Sequence, residues 1–184
     1  MAKKIVFVLV LAAIAAGGVC AQEEAPNVIM FLGSMLSYER VLSPQWGIGA
    51  EVALDFFGMP SLYYDGEKDE ETSWVALTPF SVDAFARYYP GTGKFFAQLG
   101  LGIQTSRITD NLIGPSITLD AFGFHAKAQV GWRFDIGEPN HWVFEVKAGP
   151  AISTGGLKYE GETLDKASFF MFSFPIQLGF GLKF

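Results

Sequence analysis

The side chains of this 184-residue chain that could carry chemistry stand at alternate positions within apolar segments. Glu39, Glu51, Asp55, Asp83 and Glu145 supply five carboxylates, and Arg87, Lys127, Arg133, Lys147 and Lys183 supply five cations. Gln98, Gln104, His125, Gln129 and Gln177 belong to the same alternating set. A balanced set suits mutual pairing, because charges withdrawn from water need partners. The same residues could instead line a gated narrow pore or a proton path.

His125 invites a catalytic reading, as the base of a Ser/His/acid set. Such a site needs a serine within hydrogen-bond reach, an orienting acid and an accessible mouth. No serine stands near His125 on its own segment, where Ala126 and Lys127 follow it, and His141 borders a short turn without one. His125 is therefore expected to be an interior hydrogen-bonding group and His141 a surface residue. The acidic run Asp65-Gly66-Glu67-Lys68-Asp69-Glu70-Glu71 lacks the ligand spacing and distal glutamate of a calcium loop and reads as solvated surface. Gly100-Leu101-Gly102 and Gly155-Gly156 lack the following helix that a nucleotide loop needs. No catalytic residue, metal ligand or cofactor site is expected.

The elements that must position these groups are strands with two unlike faces. In residues 174–184, Phe174, Ile176, Leu178, Phe180, Leu182 and Phe184 form one face, and Pro175, Gln177, Gly179, Gly181 and Lys183 the other. Residues 46–56, 95–103, 122–134 and 142–152 repeat this period of two, and residues 74–89 fit it less regularly. Such segments match the roughly 9–11 residues of a tilted membrane strand. Their greasy face suits lipid and their small or polar face a lumen.

Short connections at 42–45, 90–93 and 135–140 alternate with long ones at 57–73, 106–116 and 153–167. Short turns at one end and longer outer loops at the other suit a barrel spanning an outer membrane. Aromatic residues border the short turns on the apolar face: Trp46, Tyr88, Phe95, Trp132, Phe134, Trp142 and Phe184. Aromatics at one height form a girdle at a membrane interface. Phe56, Trp74 and the 169–174 cluster are candidates for a second girdle. Seven strands are clear if residues 34–41 form one. The eighth must come from residues 26–32, which are continuously apolar and turn near Gly33.

Lys3 and Lys4 before an apolar run at 5–16, with Val19-Cys20-Ala21 after it, read as a secretory signal peptide covering residues 1–21. Cleavage there removes Cys20, the only cysteine; the alternative is a lipid-bearing Cys20. The remaining 11 basic residues face 19 acidic ones with no basic stripe, so nucleic acid is not an expected partner.

The runs Leu36-Ser37-Tyr38-Glu39-Arg40-Val41-Leu42-Ser43-Pro44, Ala86-Arg87-Tyr88-Tyr89 and Ala97-Gln98-Leu99-Gly100-Leu101-Gly102, with the glycine-alternating end at Phe184, resemble the small outer-membrane β-barrel families. These include the OmpX-like proteins, the OmpA transmembrane domain and the outer membrane protein β-barrel domain group. The resemblance covers nearly all of residues 22–184 and rests on pattern. It implies an all-β, antiparallel, up-and-down transmembrane barrel of eight strands, inserted by the outer-membrane assembly machinery, which reads a terminal aromatic such as Phe184. Some eight-stranded barrels edit lipid A with a Ser/His/acid set, which gives a lipid-modifying enzyme as one alternative. A narrow pore is another, and a soluble lipocalin-type barrel, with its apolar faces inward, a third. An eight-stranded barrel is just wide enough for side chains to fill. The expected protein is therefore a monomeric, non-enzymatic barrel with a polar plug, contacting outer-membrane lipids and extracellular ligands through loops 57–73, 106–116 and 153–167.

Overall fold

A segment that alternates between two kinds of side chain separates them by lying in a sheet with distinct sides. The computed structural model describes residues 27–54, 57–69, 75–91, 94–109, 117–136 and 142–184, and every regular element in them is a strand. These are β1 (Asn27–Gly33), β2 (Met35–Ser43), β3 (Trp46–Leu54), β4 (Phe57–Tyr64), β5 (Glu67–Lys68), β6 (Val75–Tyr88), β7 (Phe95–Thr109), β8 (Thr118–Ile136), β9 (Trp142–Ala148), β10 (Ala151–Tyr159), β11 (Glu162–Ser173) and β12 (Ile176–Lys183). The expected signal peptide with Cys20, and Pro26, Asp55, Phe56, Trp74 and His141, lie outside the described residues.

The sheet is antiparallel and closes on itself. β1, β2, β3, β6, β7, β8, β9 and β12 pair in that order, and β12 returns to β1, giving a ring of eight strands. The apolar segment near the amino terminus supplies the eighth strand. β1 pairs with β2 on one side, Val28 opposite Glu39, and with β12 on the other, Val28 opposite Lys183. Val28 and Met30 are buried while Phe31 is exposed, so a segment apolar on both faces still alternates once placed. Asn27 and Phe184 exchange both backbone hydrogen bonds, at 2.7 and 2.9 Å.

The ring narrows towards its other end. The β1–β2 hairpin turns at Gly33, whose φ of 107° and close approach to the Leu178 carbonyl admit no side chain. Just beyond, the Ser34 amide donates to Leu178 at 3.1 Å, and its carbonyl accepts from Leu54 at 2.9 Å. Past that wedge β4 and β11 pair directly, from Met59 opposite Phe172 to Tyr64 opposite Ala167. β4 also meets β6, so β4, β6, β7, β8, β10 and β11 complete a second ring of six strands. The change of neighbours falls where Pro150 and Pro175, which lack a ladder N–H, interrupt β9–β10 and β11–β12.

This second ring corrects the expected outer loops. Within 57–73, residues Phe57–Tyr64 are β4; within 106–116, β7 continues to Thr109; 153–167 is β10, a two-residue turn and the start of β11. Pairing persists because inward apolar residues persist, among them Leu62, Ile108, Leu157 and Phe169. Asp65-Gly66 and Glu160-Gly161 close the tips with positive φ at both positions (52° and 87°, 49° and 88°), the geometry that matches strand twist in a two-residue hairpin.

Candidate functional site: the charged interior of the eight-stranded ring

The polar faces of the strands converge inside the ring, because most of their ion pairs join strands that are not neighbours. Glu39 on β2 reaches Arg87 on β6 at 2.8 Å and also Arg133 on β8. Glu145 on β9 binds Arg87 at 2.6 Å and Arg133 at 2.9 Å. A second tier sets Glu51 of β3 against Lys127 of β8 at 2.6 Å and against Lys147 of β9. Asp83 of β6 takes Lys127 at 2.7 Å, and Lys147 lies 3.9 Å from Glu145, linking the tiers. Four carboxylates thus face four cations, all eight buried. Removing a charge from water is costly, and multiple partners for each ion offset that cost.

Arg87 is the keystone. Its Nε donates to Gln98 at 2.7 Å, its two Nη groups to Glu39 and Glu145, and its guanidinium lies between the rings of Phe85 (4.8 Å) and Phe96 (4.3 Å). Glycines opposite make the room: a Cβ on Gly49 would strike the Phe85 ring, and one on Gly131 the Phe96 ring. Tyr89 closes the short-turn end, donating to Glu39 at 2.5 Å beneath Arg133.

Gln129, between Lys127 and Arg133 on β8, donates to Gln177 at 3.2 Å among the ions, and above them lies a neutral layer. The Ser153 hydroxyl donates to Gln104 at 2.6 Å and lies 2.9 Å from His125 Nδ1. Asp83 Oδ1 stands 4.0 Å from His125 Nε2, and neither atom has a hydrogen-bond partner among the described residues. His125 has no serine near it on its own strand, as expected, but β10, the neighbouring strand, supplies one, with Ser153 directly opposite His125. Sequence separation hid it, because residues 28 positions apart become neighbours only through strand register. Above this layer the interior turns apolar, with Leu62, Ala76, Ile108, Leu119, Ala121, Leu157, Phe169 and Met171 packed together.

Lys183 is half-buried at the end of β12. Among the expected interface aromatics, Trp46 and Tyr88 lie 5.0 Å apart, Phe95 and Trp132 5.8 Å, and Trp132 and Phe134 6.5 Å, while Trp142 stacks on Phe180 at 5.1 Å. All four contacts lie at the short-turn end, and Phe184 is exposed there. The 169–174 cluster divides: Phe169 packs inside, and Phe170, Phe172 and Phe174 point outward. Reading adjacent aromatics as one group overlooked that successive strand residues face opposite ways. Among the described residues no group of three or more His, Cys, Asp or Glu is placed to hold a metal. Comparison with known protein families, curated proteins and solved structures finds no match to this chain.

Proposed function

We propose that this chain is a small outer-membrane β-barrel of the kind its sequence resembles, with a plugged lumen and a structural or surface-binding role rather than a catalytic one. The observation that carries this reading is an apolar outer band around a buried, charged interior. Where the interior is charged, the exterior is apolar: Leu99, Leu101 and Phe124 are 68%, 70% and 76% exposed. Towards the apolar interior the exterior becomes mixed, with Thr105, Arg107, Asp120, Thr154 and Lys158 outward beside Phe122, Phe170 and Phe172. Apolar side chains stay outward for the nine residues from Phe95 to Ile103, close to what a tilted membrane strand needs. Lipid covers that band, and the six-stranded end stands in water beyond it. A soluble ligand-binding barrel would turn these faces the other way.

In this reading Trp46, Tyr88, Phe95, Trp132, Phe134, Trp142 and Phe184 sit at the periplasmic interface. Extracellular partners meet the apex, formed by the Asp65-Gly66 and Glu160-Gly161 turns and the residues around them. The apolar cluster above the ion cage supports a closed lumen over a pore. Burial of Asp83, His125 and Ser153 at 3% exposure or less argues against a lipid-modifying site, since a lipid has no approach to them.

Membrane fractionation, together with gel mobility of the detergent-folded protein before and after boiling, tests the proposal. The expected result is membrane association and a mobility shift on heating. Free solubility without any shift would refute it.

A further inference from the structure

We propose that His125 Nε2 is a proton-binding site that couples the ion cage to the neutral layer above it. A serine hydroxyl has one proton, and that of Ser153 goes to Gln104 Oε1 at 2.6 Å. With the Gln104 amide presenting Oε1, the 2.9 Å contact between Ser153 Oγ and His125 Nδ1 is made by a ring that donates from Nδ1; the opposite amide orientation would put the ring proton on Nε2. A neutral ring of that tautomer presents a bare lone pair at Nε2, and what faces it at 4.0 Å is the unpartnered Oδ1 of Asp83. Two buried acceptors oppose each other, and a proton on Nε2 turns the opposition into an ion pair.

The arriving proton competes with an existing contact. Asp83 Oδ2 already accepts from Ser81 at 2.8 Å and from Lys127 at 2.7 Å. The charged groups around the site are Asp83 on β6 and Lys127 on β8, with Glu51 of β3 and Lys147 of β9 behind Lys127. β7 and β10 present Gln104 and Ser153, which do not titrate. Imidazole ordinarily changes charge between about pH 5 and 8. Protonation draws Asp83 towards His125 and loosens its hold on Lys127, so a pH change is felt in the cage. The inference does not depend on what covers the outer face.

Nuclear magnetic resonance of the folded full-length chain in detergent micelles tests it, with the His125 ring assigned by its loss in His125→Gln. Lowering the pH from about 8 to about 5 should convert an Nδ1–H ring to imidazolium. The Asp83 carboxyl carbon should shift with the same midpoint, and the shift should vanish in His125→Gln. Ser153→Ala should release the ring from the Nδ1–H tautomer. A ring that stays neutral with its proton on Nε2 throughout would overturn the proposal, as would an Asp83 carbon that stays still while His125 titrates.

Discussion

Around Gln98 on β7, the interior of the ring is charged and the outward neighbours are Ala97 and Leu99; around Ile108 on the same strand, the interior is apolar and the outward neighbour is Arg107. The direction in which alternate side chains point never changes between the two. What changes, over Gln104 to Ser106, is which kind of side chain occupies each direction. A strand therefore specifies only that two faces differ, and each face takes the chemistry its surroundings reward. The eight-stranded section holds its interior by ion pairs between distant strands. The six-stranded section holds its own by apolar packing, as the interior of a water-soluble domain does.

The comparison is broken most severely by Arg87→Met, which strips Glu39 and Glu145 of a shared buried cation. It should cost about 3–5 kcal/mol and lower the temperature at which the unboiled gel band disappears, whereas an unchanged band would mean that the cage is not what holds the eight-stranded section. In the other section, Leu157→Ala should cost about 2–5 kcal/mol in denaturant titration. Its first effect should be faster amide exchange in β10 and β11, with β9 and β12 protected.

A third test turns on the outer face. Leu101→Arg puts a charge on the apolar band and should cost about 2–4 kcal/mol in lipid vesicles, while Thr105→Arg, two outward positions farther along, should cost no more than about 1 kcal/mol. Equal costs would remove the distinction between the sections. The smallest effect belongs to Arg107→Ala, which breaks a 3.8 Å pair with Asp120 that is well exposed on both sides. It should shift the unfolding midpoint by about 0.2–1 kcal/mol, and by less as salt is raised.

Much of the eight-stranded section is legible in the chain. The period-two pattern marks Glu39, Glu51, Asp83, Arg87, Lys127, Arg133, Glu145 and Lys147 as one face, and the structure buries all eight. The six-stranded section is far less legible. Residues 57–64 and 153–167 contain glycines, charges and a proline, which read as loop, and β4 shows its partner only when β11 lies beside it. Asp65-Gly66 and Glu160-Gly161 were the available signals for hairpin tips. Ser153 was hidden for the related reason that a contact across strands depends on register.

The sequence by itself determined that the chain forms two-faced strands and that one face carries balanced charge, because side-chain direction along a strand is a local property with a fixed period. Only the tertiary structure decided which carboxylate meets which cation, that a serine reaches His125, and that eight strands give way to six where the β1–β2 hairpin ends. Those depend on ring closure and on the register between strands far apart in the chain, which no local pattern encodes.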